Sequence, residues 1–503
     1  MTRPAPRPTR RQLLRGATGV VAAAATGLGT GRVAAEALGV VVIGSGYAGA
    51  VTALRLAQAG ISCTVLERGR RWQISPSGDT FATTGNPDAR ALWVPAAATG
   101  VLEVAVGSGI TCFAGAGVGG GSLVNYTVLM APRADLFDAS FGGRLDYAEM
   151  ARVWYPRARD LLGGSAVPDD ILATEAYAGA RAFDDTCRHA GLATQRPTLA
   201  VDWDIVREEL RGRVRPSATV GDCMLGINSG AKHSVDRTIL AAAEATGAVT
   251  VRAMHEVTGV RLDGVGYRVG YQVLDLAGRP QTTGEITTRT VVFAAGSLGT
   301  TRLLVRARAR GDLPGLPETV GRYWGTAGDH VAIGAGAVHG SLGGPAHIVA
   351  TDWATTPVTL LSFPLGVPVA GELTRNALAV GITPPLGSIR YDAPTDRTEI
   401  HWPAADPAIA AVSSGIGATL AKIDAVRPAP TPTFALPTVT SHALGGAVLG
   451  AVTDRYGRVA GHPGLHVVDS ALIPGSTGAV PPALTVTALA DRCASALVAD
   501  LTR

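Results

Sequence analysis

Cysteine is scarce in this chain and placed for no scaffold role. The five cysteines, Cys63, Cys112, Cys187, Cys223 and Cys493, are scattered, odd in number and form no CxxC pair. No disulfide framework is indicated, and no ligand pair suggests a metal site. Net charge is also small, +4 over 503 residues. Part of it sits in the first forty residues, so nothing indicates a nucleic-acid groove. Aromatics are only 5% while 47% of residues are apolar, enough at this length for a sizeable core in one large or two ordinary domains. A stable membrane span is lacking near the N-terminus: the mild Ala/Gly/Val run from Gly16 to Thr30 is too short and too rich in glycine. It follows Thr9-Arg10-Arg11-Gln12-Leu13-Leu14-Arg15, a twin-arginine pattern, so residues 1–37 read as an export address. A disordered basic arm is the alternative. The twin-arginine route carries folded proteins, which suits an exported, extracytoplasmic enzyme loaded with cofactor beforehand. Ala35-Glu36-Ala37 fits the small-residue cleavage rule but leaves almost nothing before the first strand.

Glycine, by contrast, is abundant and patterned. Val40-Val41-Val42-Ile43 reads as a buried parallel strand, and Gly44-Ser45-Gly46-Tyr47-Ala48-Gly49 as the turn into a helix running to about Ala59. A second strand, Ser62 to Leu66, ends on Glu67. This is the spacing of a dinucleotide-binding βαβ unit. Gly44 permits the tight turn, Gly46 lets the backbone approach a pyrophosphate, Gly49 lets helix and strand pack closely, and Glu67 can accept ribose hydroxyls. The pyrophosphate would sit on the helix N-terminus, where free N–H groups favour anions. Further on, five of the seven residues from Gly115 to Gly121 are glycine, so this backbone can lie flat against a planar ligand. Apolar order returns at once with Leu123-Val124 and Val128-Leu129-Met130, against a flexible linker. Thr290 to Gly299 reads as another buried strand entering a helix, and Leu465-His466-Val467-Val468-Asp469 as a strand stopping on an acid before a helix from Thr485 to about Leu501.

In this order the segments VVIGSGYAGA, GAGVGGGSLVN, FAAGSLGTTRLLVRAR, DRYGRVAG and VVDSALIPGS with TALADR resemble the glucose-methanol-choline (GMC) oxidoreductases, and within them the bacterial sterol oxidases with non-covalent FAD. The resemblance runs from Val40 to Leu501. It implies an α/β fold: a Rossmann-like FAD-binding domain with an inserted α+β substrate domain built on an antiparallel sheet. It also implies that Gly44, Gly46, Gly49 and Glu67, with Tyr47 in the same turn, hold the ADP half of FAD. Gly117, Gly119, Gly120, Gly121, Ser122 and Asn125 would run beside the isoalloxazine, Asp469 by the ribityl chain and pyrophosphate, and Val257 on the adenine side through its backbone. The FAD-binding domain is then discontinuous, 38–72, 225–315 and 457–503, with the substrate domain in 73–224 and 316–456. Alternation between Val257 and Thr290 predicts a small antiparallel meander. Leu145–Leu162, Asp170–Ala190 and Pro407–Val426 are expected to be helical and Thr398–Trp402 a strand.

Flavin oxidation of an alcohol needs a group that handles the hydroxyl proton, and histidine suits it because its ordinary pKa lies near neutrality. Among ten histidines, His442 in Thr440-Ser441-His442-Ala443-Leu444-Gly445-Gly446 stands in a glycine-rich segment before the last FAD strand. By the resemblance it faces the flavin and binds the substrate hydroxyl; a core histidine is the alternative. Two departures matter. Sterol oxidases carry a glutamate in a substrate-domain strand that moves a proton during double-bond isomerisation, and alignment back from Tyr391-Asp392 puts Ser362 there, with Glu372 nearby in sequence. The family's asparagine before a single proline is replaced by Pro481 in Gly478-Ala479-Val480-Pro481-Pro482, and proline offers neither side-chain donor nor N–H. His442 would then act alone or with help from Asn125, Thr477 or a water. The segment from Val94 to Ser108, expected in the substrate lid, also looks shortened.

These readings point to an FAD-dependent oxidoreductase acting on a secondary alcohol of a bulky hydrophobic small molecule, a steroid, terpenoid or polyketide, without the isomerisation step. Molecular oxygen is one candidate acceptor. The runner-up keeps the fold but makes the enzyme a redox-neutral tailoring isomerase or cyclase. An exported flavoprotein that only binds an apolar ligand, and an NAD enzyme, are further alternatives. Oligomeric state is open.

Overall fold

The computed structural model describes residues 31–32, 36–264, 266–334, 343–345, 347–362, 375–427, 433–436 and 439–503. The twin-arginine motif and Glu372 lie outside them.

Strand β1 (Glu36–Ile43), helix α1 (Tyr47–Gln58) and strand β2 (Cys63–Leu66) form the predicted βαβ unit. They continue into β3 (Val249–Arg252), β4 (His255–Asp263), β5 (Gly266–Leu274), β6 (Pro280–Phe293) and α2 (Gly296–Arg310). The sheet order is β3-β2-β1-β6-β5-β4, with Leu465–Val467 added alongside β6. Val40 to Ile43 pair in parallel with Cys63 to Leu66 on one side and Thr290 to Phe293 on the other, so these residues are buried and uniformly apolar. β6 changes role along its length. Its first part alternates and pairs antiparallel with β5; its end enters the parallel layer. The expected meander and the discontinuous parallel sheet are therefore one continuous surface.

Two predicted helices are broken. The first is split into Tyr147–Glu149, a wide π turn at Met150–Trp154, and Tyr155–Leu162. Pro156, at the start of the last piece, supplies no N–H for a regular turn. The second is split into Asp169–Leu172 and Ala178–His189, joined through a 3-10 turn at Glu175–Tyr177. There Thr174 is extended and its hydroxyl donates to the Ile171 carbonyl, competing with the helix.

A second, antiparallel sheet contains β7 (His330–Gly334), β8 (Val349–Thr351), β9 (Thr359–Ser362) and β10 (Arg375–Val380), in the order Thr433–Leu436, β7, β10, β9, β8, Ala193–Gln195. Side chains alternate between its faces. Ala332, Leu360, Ala377 and Ala379 pack against helix α3 (Pro407–Ala425) and Ala178–His189. Val331, Leu361 and Leu378 face the opposite way, into a cavity. By length and composition α3 could cross a bilayer, but Ile416, Leu420 and Ile423 are packed in this cluster. The segment expected in the lid is instead sheet: Leu102–Gly107 pairs with Ile110–Gly115, which in turn carries Val439–Thr440 next to His442.

Candidate active site

The carboxyl ends of β1, β2 and β6 and the inner face of the antiparallel sheet enclose a cavity of about 530 Å3. Such a crevice is where open α/β sheets bind ligands. Gly44, Gly46, Tyr47, Glu67, Gly120, Gly121, Asn125, Val257, Asp469, Pro481 and His442 all line it, so the structure brings most of the sequence-predicted residues together.

Its dinucleotide wall is made of backbone. At Gly44, φ is +98° and an added Cβ would lie 2.5 Å from the Ala294 carbonyl oxygen; at Gly49 it would lie 2.0 Å from the Gly44 oxygen. Helix α1 starts at Gly46 with no side-chain cap, and Gly46, Tyr47 and Ala48 all face the cavity. A Cβ on Gly120 would come within 2.8 Å of the Gly46 Cα, so the two glycine turns touch. This is a cradle that side chains would fill, and it fits the pyrophosphate of FAD against uncapped N–H groups. Glu67 accepts from Ser45 N (3.1 Å), Ser45 Oγ (2.7 Å) and Gly69 N (2.9 Å), and Ser45 Oγ accepts from Gly119 N at 3.2 Å. Ser45, absent from the sequence-based candidates, thus bolts the first glycine turn to the second. It occupies the first variable position of the motif, where any residue is allowed. Asp469 accepts from Gly296 N (2.9 Å), Thr300 Oγ1 (2.5 Å) and Ala471 N (2.8 Å). Burial outweighs these bonds and pushes its carboxyl up to about 6.

Four predicted cofactor residues lie behind this wall. Gly49, Gly117, Gly119 and Ser122 are not on the cavity surface. Gly49 and Gly117 give close packing, with φ at Gly117 of +146° against Trp72. Ser122 Oγ donates to the Gly119 carbonyl (2.8 Å) and accepts from Val235 N (3.0 Å), which shapes the loop. Lys232, also missed, is 3% exposed; its Nζ donates to the carbonyls of Leu123 (2.8 Å), Asn125 (2.8 Å) and Cys223 (3.2 Å). Burial pulls its pKa down to about 8. Asn125 Nδ2 donates to the Tyr47 hydroxyl at 2.7 Å, and burial holds that hydroxyl protonated well beyond its ordinary range.

On the substrate wall, Val128, Val331, Leu361, Leu378, Val439 and Val486 line the cavity together with His442. The alternation of β9 places Leu361 on the cavity and turns Ser362 to the helix-covered face with Leu360, so the expectation for Ser362 is corrected by one register position. Pro481 is on the wall and brings no polar group, as its chemistry requires. Thr477 is not on the cavity wall with His442; its buried hydroxyl donates to the Val480 carbonyl at 2.6 Å. The partner of His442 is Asp329, whose Oδ1 lies 2.7 Å from Nδ1 across a separation of 113 residues. Its Oδ2 accepts from Thr440 Oγ1 and Ser441 N, each at 2.8 Å. Burial acts to raise the Asp329 carboxyl, but the His442 ring and these donors outweigh it and hold it below the ordinary range. No motif surrounds Gly328-Asp329-His330, so nothing local could have singled it out.

A parallel sheet with a doubled glycine turn, facing a histidine across an apolar cavity, defines an FAD-dependent oxidoreductase. Residues 39–99 match the FAD dependent oxidoreductases, and residues 397–490 match the GMC oxidoreductase family. A cholesterol oxidase of Mycobacterium tuberculosis is 30% identical, the alignment covering 91% of this chain and 90% of the relative. A cholesterol oxidase of Acinetobacter baumannii is 25% identical over 92% and 94%. The chain belongs to the GMC oxidoreductases, and its cofactor is FAD. The same fold is found in pyridoxine 4-oxidase from Mesorbium loti (TM-score 0.62, 19% identity, 91% of this chain and 99% of that one) and in a fungal aryl-alcohol oxidase (TM-score 0.63, 14% identity, 93% and 100%).

Proposed function

We propose that the protein oxidises a secondary alcohol on a bulky apolar molecule such as a steroid, terpenoid or polyketide. The observation that carries this reading is His442, the imidazole on an otherwise largely apolar substrate wall that joins the dinucleotide cradle. When bound, FAD supplies the hydride acceptor for the carbinol carbon. His442 takes the hydroxyl proton, the apolar side chains of the antiparallel sheet position the carbon skeleton and exclude water, and Asn125 with Tyr47 offers a polar rim. Among the described residues, the cavity-lining carboxylate next to that sheet is Asp329, just before β7, already engaged by His442, Thr440 and Ser441. The reading therefore includes no double-bond isomerisation. The two relatives named cholesterol oxidase support the chemical class, and the Leu361 and Pro481 positions argue for a skeleton other than a plain sterol.

FAD is proposed to be held without a covalent bond; acid precipitation should release the yellow colour into the supernatant. Residues 1–37 are proposed to direct twin-arginine export, tested by replacing Arg10 and Arg11 with lysine and following the protein outside the cytoplasm. The central test is anaerobic mixing of the purified flavoprotein with hydroxylated steroids and terpenoids. Bleaching of the flavin band supports the oxidation, and readmitted air shows whether oxygen is the acceptor. A substrate that changes while the band stays oxidised would replace this reading with the redox-neutral one.

A further inference from the structure

We propose that Asp329 is the positioning residue of this site: it fixes His442 as the Nδ1–H tautomer and leaves the Nε2 lone pair facing the cavity. It would do so in place of the second polar side chain lost at Pro481. The inference rests on the proposed alcohol oxidation only for the proton that Nε2 receives.

With Asp329 held as a carboxylate, the geometry places a hydrogen on Nδ1. Asp329 Oδ2 accepts from a backbone N–H and a hydroxyl at 2.8 Å, so the carboxylate is held as an acceptor, and its side chain is 1% exposed. An acceptor 2.7 Å from Nδ1 requires a hydrogen on Nδ1. In the neutral ring Nε2 is then unprotonated, and among the described residues it has no hydrogen-bond partner, while His442 lies on the cavity wall. The pair cannot readily swing apart. Thr440 and Ser441, which grip Asp329, are the two residues before His442; the Thr440 hydroxyl also accepts from His442 N at 3.0 Å, and Ala327 N donates to the His442 carbonyl at 3.3 Å. On the other side His330 reaches Ser413 of α3 at 2.9 Å, anchoring the strand that starts beside Asp329.

The consequence is a charge-compensated base. When the substrate O–H bond breaks, both its electrons stay on oxygen, a new Nε2–H bond forms, and the ring becomes cationic. A buried carboxylate already in contact stabilises that cation more than water-screened charge would. A turn brace with no electrostatic role would need only the bonds to Thr440 and Ser441, which asparagine can also accept.

The test is nitrogen NMR of the FAD-loaded protein labelled at histidine, with the His442 signals assigned by their loss in His442→Ala. The expected spectrum has a proton on Nδ1 and a bare Nε2. Asp329→Asn, whose amide can donate to Nδ1, should move the proton to Nε2 and lower kcat by 100-fold or more with a smaller change in KM; Asp329→Glu should restore the original tautomer in part. A wild-type spectrum with the proton on Nε2 overturns the proposal, as does an Asp329→Asn protein with unchanged kcat. If the asparagine variant does not fold, the wild-type and glutamate spectra decide. Because the spectrum needs no substrate, a protonated Nδ1 with no alcohol bleaching the flavin would overturn the functional reading and leave this one standing.

Discussion

The two walls of the cavity are built on different principles. The dinucleotide wall is main chain, set by glycines a few residues apart, and its side chains mostly brace one turn against another, as Glu67 and Ser45 do. The substrate wall is side chain, and its polar pair joins residues from two segments that flank strands of different sheets. A main-chain site tolerates little change in backbone shape but much change in the surrounding residues. A side-chain site can be retuned by single substitutions, and here it carries Pro481 and Asp329 where the family pattern led elsewhere. The difference predicts which substitutions separate cofactor binding from turnover.

The sharpest separation should come from His442→Ala. Removing the proton acceptor should lower turnover by about 10²- to 10⁴-fold, while the flavin spectrum and the flavin-to-protein ratio stay unchanged. Loss of flavin in that variant would break the comparison, because the substrate wall would then be holding the cofactor.

Lys232→Met should act on the other wall without touching the cavity. It strips Leu123, Asn125 and Cys223 of a buried donor. Unsatisfied buried acceptors cost about 1 to 3 kcal/mol each, partly relieved by relaxation, so we expect stability to fall by about 3 kcal/mol or more and flavin content with it. Thermal melting and the flavin-to-protein ratio check this. A stable, fully flavinated variant would show that the loop holds its shape without the clamp.

A smaller effect is expected from pH. The Asp469 carboxyl is raised by burial to about 6 from an ordinary 3.8, so the folded apoprotein keeps a proton that the unfolded chain releases. Stability from this group is therefore full at or below about pH 4 and is lost as pH rises to about 6, by up to about 3 kcal/mol. Asp469→Asn should flatten that part of the apoprotein's stability profile. A wild-type profile with the same slope as the variant would place the titration elsewhere.

What was legible in the sequence follows the same division. The turn at Gly44, the helix behind it and Glu67 were readable because each lies within a short stretch whose spacing dictates its geometry. The parallel strands were readable because burial on both faces leaves only apolar residues. The broken helices were not, since Pro156 and Thr174 act against an amphipathic pattern that persists through them. Asp329 was invisible for a different reason: its role exists only once the strand after it and the segment before His442 are folded together. Lys232 reads from sequence as a surface cation, and only the three carbonyls around it make it a core residue.

The smallest expected effect is the most exacting for the substrate wall. A strand offers alternate residues to alternate faces, so a one-residue error in register exchanges the wall for its back. With Leu361 on the cavity and Ser362 turned to the helix side, Ser362→Ala removes one hydroxyl from a position that sees neither FAD nor substrate. Stability should change by about 0.5 kcal/mol or less, and turnover not at all. The Ser362 hydroxyl therefore separates two accounts of which face of β9 forms the substrate wall. If turnover is unchanged, the hydroxyl lies behind the wall and Leu361 closes it with hydrocarbon. If turnover collapses in Ser362→Ala, β9 must present its other face, Leu361 belongs under α3, and the substrate wall carries a second hydroxyl beside His442.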